Sequence, residues 1–150
     1  MSDTMIMSVS GIDEIKDLLS NLSPRIADNL MTATIRGVAG EAVKQIKING
    51  GPVKRTGNLL KSLKIKKVRS DRTNPTFNVI FNSGSDSRYD GFYWRFVEHG
   101  TKFSQGSDFV RNAKYKVISE LDFHIATQFT KKFNARINRE RRRIQRLNNS

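Results

Sequence analysis

Apolar residues recur every three or four positions along much of the chain, a spacing that predicts amphipathic helices. The first helix is expected over residues 10–21, where acidic residues occupy the opening turn. The second begins at Pro24, with Ser23 as its N-cap, and extends to about residue 48, where Asn-Gly-Gly-Pro ends it. Gly37 and Gly40 weaken this helix, so they indicate close approach of another backbone.

A third long helix is predicted from Asp108, which is a plausible N-cap. Its apolar residues are spaced four apart: Ala113, Val117, Leu121, Ile125, Phe129, Phe133 and Ile137. Four residues make slightly more than one helical turn, so the stripe that they form winds around the helix axis. One flat core face cannot cover the whole stripe. We expect residues 113–125 to pack on the domain's own sheet, and Phe129, Phe133 and Ile137 to project toward a neighbouring copy as a subunit interface.

Alternation of apolar and polar residues over 62–68 and 76–82 predicts two strands joined by turn formers, that is, an antiparallel hairpin. One helical turn is expected just before them, capped by Thr56, with its leucines directed inward: Leu59, Leu60 and Leu63. These elements predict an α+β fold, in which a small antiparallel sheet built on a β-hairpin packs against a long helix of the N-terminal half and a long C-terminal helix. Residues 1–138 would form a single domain, of which 1–22 are an arm and short helix, and 139–150 a basic, frayed tail.

Residues 91–101 contain four aromatic residues, the only Trp and one of the two histidines. In a helix, Phe92 and Phe96 share one face, and Tyr93 and Val97 share another. Gly100 stands where a residue in the left-handed αL conformation would end that helix. The segment is therefore predicted to be a short, largely buried helix, although periodicity leaves a strand open.

The net charge of +13 in 150 residues is concentrated in two regions. Residues 44–72 contain ten basic residues and one acidic residue, and residues 131–146 contain eight and one. Such regions favour an anionic neighbour, either nucleic acid or an acidic protein surface. The candidate contacts are Lys54, Arg55, Arg139, Arg141, Arg142, Arg143 and Arg146. The absence of cysteine excludes disulfides, and the short apolar runs give no indication of a membrane partner.

No pattern of catalytic or ligand-binding residues is recognisable. The two histidines, His99 and His124, are far apart in sequence, which gives no support to a metal site. Glu98 adjoins His99, but neighbouring residues on a helix do not face each other, and no nucleophile motif completes the set. The sequence therefore predicts a protein that is not an enzyme and that has no cofactor.

Three stretches resemble the tail-completion, or head-to-tail joining, proteins of tailed double-stranded DNA bacteriophages, a group that includes proteins similar to the tail-completion protein Z of lambda. Arg55-Thr-Gly-Asn-Leu-Leu-Lys-Ser-Leu63 is similar to the family segment T-G-x-L-x-x-S, and Tyr93-Trp-Arg-Phe-Val-Glu-His-Gly-Thr101 to Y-x-x-x-V-E-x-G-T. Asp108-Phe-Val-Arg-Asn-Ala113 stands where the family has Pro-Phe-Leu-x-Pro-Ala, without either proline. The matching motif residues are Thr56, Gly57, Leu59, Tyr93, Val97, Glu98, Gly100, Thr101, Phe109 and Ala113.

This resemblance implies a structural virion protein without catalytic activity, made in the host cytoplasm and located at the neck or tail end. It would form a ring, of six copies or alternatively twelve, that joins the tail to the head connector and surrounds the DNA channel. Its partners would be itself and neighbouring neck, connector and tail proteins, with non-specific contact to genomic DNA. The alternative from the residues themselves is a basic, sequence-independent DNA-binding accessory or packaging protein. In either case Glu98 is a structural candidate: it could accept hydrogen bonds from the turn at Gly100-Thr101, or it could be exposed to solvent.

Overall fold

The computed structural model describes residues 10–52, 57–71, 74–84 and 88–150, and the side chains of 10–12 and 14 are not described. Helices and two short antiparallel strand pairs alternate along the chain, which confirms the α+β prediction. The elements are α1 (Ser10–Ser20), α2 (Pro24–Gly50), α3 (Asn58–Lys61), β1 (Leu63–Val68), β2 (Thr76–Phe81), α4 (Trp94–His99), β3 (Gly100–Thr101), β4 (Ser104–Gln105), α5 (Phe109–Ser119) and α6 (Leu121–Asn148).

The predicted hairpin is present, with β1 antiparallel to β2 and Leu63 opposite Phe81. Because side chains alternate across a strand, Leu63, Ile65, Val79 and Phe81 share one face of the hairpin. The core lies beneath this face and takes its buried members from four elements: Ile46, Leu59, Leu63, Phe109 and Ala113. The inward direction of Leu59, Leu60 and Leu63 is therefore confirmed.

Helix α2 is the support for the C-terminal helices, which run antiparallel to it. Gly50, near its end, lies against the Phe109 ring, whereas Gly37, further back, lies against the Gln128 side chain. The Gln128 amide donates a hydrogen bond to Glu41 over 3.3 Å. Helices α5 and α6 thus pack mainly on α2. Ala113 joins the core beneath the hairpin, but the expectation that residues 113–125 as a whole pack on the sheet is wrong.

Among the described residues, no backbone of another element packs closely against the two interior glycines of α2, Gly37 and Gly40. At Gly37 the close neighbour is the Gln128 side chain, and at Gly40 no atom lies where a Cβ would make contact. The prediction of backbone approach is wrong at both positions. Only at Gly37 does the missing Cβ leave room for a packing partner.

The predicted third helix is divided in two, because Glu120 leaves helical geometry at φ −110° and ψ 19°. Beyond this break α6 continues to Asn148, so the expectation of a frayed tail from Arg139 is also wrong. The side chain of Phe129 is only 3% exposed and stacks on Phe133 with ring centroids 5.8 Å apart. Phe129 therefore packs within its own chain and does not project from it.

Candidate functional site

The motif segments lie in separate elements that converge on the core. Leu59 of α3 is buried beside Phe109 and Ala113 of α5, and Tyr93 and Val97 pack against the same cluster. Trp94 stacks on Phe81 at 5.2 Å between ring centroids, and Phe81 meets Phe109 edge to face at 6.1 Å. Three stretches far apart in sequence thus form one packed unit, which we call the motif core.

Ser62, the last residue of the first motif, joins the hairpin to the aromatic segment. Its hydroxyl is buried and donates to the Leu59 carbonyl over 2.6 Å, while its own carbonyl accepts from the Asn82 N–H over 2.9 Å. The Asn82 carbonyl in turn accepts from the Gly91 N–H over 2.8 Å. The Ser62 hydroxyl occupies the space that a Cβ at Gly91 would need, so glycine allows the two segments to meet.

Glu98 joins the second motif to the third. Its carboxylate is 3% exposed and accepts hydrogen bonds from the backbone N–H groups of Val110 and Arg111, each over 2.8 Å. These N–H groups lie in the first turn of α5, where no helical carbonyl can satisfy them, and the positive end of the helix dipole favours a carboxylate there. Glu98 therefore caps α5 from a distance of twelve residues in sequence. The expected partner, the turn at Gly100-Thr101, and the alternative of an exposed Glu98 are both wrong.

Asp108 precedes α5 as predicted but does not cap it. Its backbone is left-handed, with φ 50°, and its carboxylate pairs with the Arg111 guanidinium at 2.6 Å. The Asp108 N–H instead donates to the Glu98 carbonyl over 3.1 Å. Both the main chain and the side chain of Glu98 thus fix the start of α5.

A tight two-residue pair, β3 with β4, connects these motifs. Gly100 has φ 83° and ψ −179°, a conformation that favours glycine but is not the predicted αL geometry. Thr101 accepts a hydrogen bond from the Phe103 N–H through its hydroxyl over 3.2 Å, which tightens the turn. This turn returns the chain so that Ser107 can donate to the Val97 carbonyl over 2.9 Å.

The aromatic segment is a helix, as predicted, but it is shorter and more exposed. Tyr93, at the N-cap position, and Val97 face the core, whereas Phe96 of the helix and Phe92 in the turn before it are exposed. The Phe103 side chain at the β3–β4 turn is 87% exposed. The prediction of a largely buried helix is therefore wrong for its outer face, and each exposed ring is a candidate contact residue.

The end of α6 is a second exposed surface. Phe133 and Ile137 are half-buried, and every residue from 139 to 150 is exposed. Ile144 and Leu147 continue the helical spacing of Phe133 and Ile137, yet they are 56% and 68% exposed. This spacing is present in the sequence, but the predicted apolar stripe ended at Ile137 because arginines surround Ile144 and Leu147.

The basic candidates divide between described and undescribed residues. Lys54 and Arg55 lie outside the described part of the chain. The motif residue Thr56 also lies outside it, so its predicted role as a cap is not described, and the next residue, Gly57, occupies the N-cap position of α3. The arginines of the tail are all exposed, and four of them cluster on one side of the end of α6: Arg139, Arg142, Arg143 and Arg146. Only this second group can be described as a surface.

Acidic and histidine side chains form no metal-binding group of three or more within the described residues. His124 lies 3.5 Å from Glu120, at the break between α5 and α6, whereas His99 is on α4 near Trp94. The two histidines are thus in separate elements. Across the part of the chain that the structure describes, no helix is long and apolar enough to cross a bilayer.

The sequence comparisons relate most of the chain to one protein family. Residues 13–100, more than half of the chain, match the model of a family described as “Bacteriophage HK97-gp10, putative tail-component”. The match includes the first motif and ends at Gly100 within the second, so it stops short of the third. No curated protein and no solved structure matches the chain significantly. The chain belongs to the HK97-gp10-like family of bacteriophage tail components and is thus a virion-associated, tail-related structural protein.

Proposed function

We propose that the protein is a non-catalytic subunit of a ring at the neck or tail end, which completes the tail, joins it to the head connector and surrounds the DNA channel. Family membership supports the tail role. The finer role is supported by the contrast between the closed motif core and the uncovered surfaces around it. A ring also requires each copy to offer two different surfaces to its neighbours.

The observation that carries the proposal is the exposed end of α6. Phe129 is buried and Ile137 half-buried, whereas Ile144 and Leu147 continue their helix face without any cover. Exposed apolar groups beside polar residues mark contact sites for other proteins. An amphipathic helix that extends beyond its own domain is suited to pack on a neighbouring subunit.

The test is to locate and count the protein in purified particles by electron microscopy, and to weigh the isolated protein by native mass spectrometry. We expect a ring of six copies, with twelve as the alternative, at the junction between tail and head. A protein that stays monomeric and is absent from particles would contradict the proposal. Similarity to the lambda Z group remains a prediction that this localisation would also test.

A second candidate function is sequence-independent DNA binding as a packaging accessory. The exposed arginine cluster at the end of α6 favours it, because clustered arginines bind phosphates without reading bases. This function predicts an affinity for duplex DNA that falls steeply with salt and is lost when residues 139–150 are removed. If that truncated protein keeps its DNA affinity but no longer joins heads to tails, the ring function is supported instead.

A further inference from the structure

We propose that neighbouring subunits contact each other through the end of α6 in one copy and the acidic outer face of α1 in the next. This inference rests on the proposed ring function and specifies its interface. We call the first surface the α6 end, residues 139–148. The second is the outer face of α1, formed by Asp13, Lys16, Asp17 and Leu18.

The α6 end combines an apolar strip with strong positive charge. Ile144 and Leu147 lie three residues apart and therefore on one side of the helix. Arg139 and Arg143 are one turn apart beside this strip. Arg143 lies 4.0 Å from Glu140 of the same helix, yet its side chain is 76% exposed. Five arginines and one acidic residue occupy these ten positions. A partner must therefore supply both an apolar group and negative charge.

The outer face of α1 offers both. Ile15 and Leu19 are half-buried, and α1 contacts α6 of its own chain, so this side is already covered. Asp13 and Asp17, one turn apart, lie on the opposite side and are exposed. Asp13 pairs with Lys16 of the same helix at 3.4 Å, but an ion pair this exposed is weak and does not prevent Asp13 from facing a neighbouring subunit. Leu18 is also exposed, at the edge of the acidic face.

The occupant is a second copy because the chain's own α1 does not cover the α6 end. With α1 packed in place, every residue of the α6 end remains exposed. A contact between two different surfaces of the same chain is heterologous, and such contacts generate rings when the rotation closes. Charge complementarity between the surfaces would also fix their orientation.

The test uses single cysteines, since the natural chain has none. One preparation carries Asp17→Cys and the other Arg143→Cys, and the two are mixed under assembly conditions before a short bismaleimide is added. A cross-linked pair containing one copy of each variant is expected, and it must be intermolecular because each chain has a single thiol. Lys116→Cys, on the exposed surface of α5, is the matched control and should not cross-link to Asp17→Cys.

Charge reversal tests the same contact without cross-linking. Replacing Arg139 and Arg143 by Glu, or Asp13 and Asp17 by Lys, should weaken self-association about tenfold or more. The chain with all four substitutions should recover association to within about threefold of the natural chain, since opposite charges again face each other. Circular dichroism of each variant checks that α1 and α6 remain helical.

The outcomes separate this inference from the proposed function. If a ring forms but neither the cross-link nor the recovery occurs, the interface is overturned and the ring function stands. If no multimer forms and particles lack the protein, the ring function itself fails. If the arginine reversals abolish duplex DNA binding while self-association is unchanged, the α6 end is a nucleic-acid surface and the inference is overturned.

Discussion

Glu98 shows how one residue fixes the relation between two elements. Its buried carboxylate meets two N–H groups at the start of α5, so the charge is compensated by hydrogen bonds and by the helix dipole. Sequence reasoning identified Glu98 as structural but gave it the wrong partner. The partner depends on the β3–β4 turn, which returns the chain toward α4.

Replacing Glu98 by Ala should lower the free energy of unfolding by about 2–4 kcal/mol, because it leaves the Val110 and Arg111 N–H groups without their acceptor. Glu98→Gln should cost about 1–3 kcal/mol, because its amide oxygen can accept from one N–H group while its NH₂ group, a donor, leaves the other without an acceptor. Urea denaturation followed by circular dichroism measures both. Glu140→Ala is the control on exposed α6 and should change the value by less than about 0.5 kcal/mol. Equal effects at the two positions would contradict the capping role.

At the scale of elements, the local sequence of α5 and α6 favours one continuous helix, whereas the folded structure contains two. Residues 118–121 contain neither Gly nor Pro, so local propensity favours one continuous helix. The structure nevertheless breaks the helix at Glu120, and α5 and α6 each pack on α2. Beyond Asn138, by contrast, α6 is helical where its charge predicted fraying.

Removal of residues 139–150 should change the free energy of unfolding by less than about 1 kcal/mol, because all of these residues are exposed. It should lower the helical signal and abolish self-association. Denaturation, circular dichroism and native mass spectrometry measure the three effects. The matched control is Ile144→Ser with Leu147→Ser, which keeps length and charge and should also lose association. A truncated protein that no longer unfolds cooperatively would show that the α6 end belongs to the folding unit.

At the scale of the whole molecule, phenylalanine occurs both in the buried core and on the exposed surface. Phe109 is 2% exposed at the centre of the motif core, whereas Phe103 extends into solvent from the β3–β4 turn. Positive charge is likewise concentrated at the exposed α6 end. The molecule thus folds around its motifs and leaves Phe103 and the α6 end exposed.

Phe103→Ser should leave the free energy of unfolding within about 0.5 kcal/mol of the natural value but weaken assembly into particles, because this ring contributes contact area and not core packing. Phe109→Ala should instead cost about 3–5 kcal/mol through the cavity that it creates. Thermal denaturation and the occupancy of the protein in purified particles distinguish the two. Normal occupancy with Phe103→Ser would exclude the exposed ring from assembly contacts.

The sequence by itself determined the hairpin, the positions of α1 and α2, and the structural character of the three motifs, because these depend on local periodicity and turn residues. Only the tertiary structure decided that Glu98 caps α5, that Gly91 meets Ser62 and that Phe129 is buried. Each of these depends on contacts between residues distant in the chain, which periodicity cannot specify. The broken C-terminal helix has the same cause, since packing against α2 outweighed a local preference of a few tenths of a kcal/mol per residue.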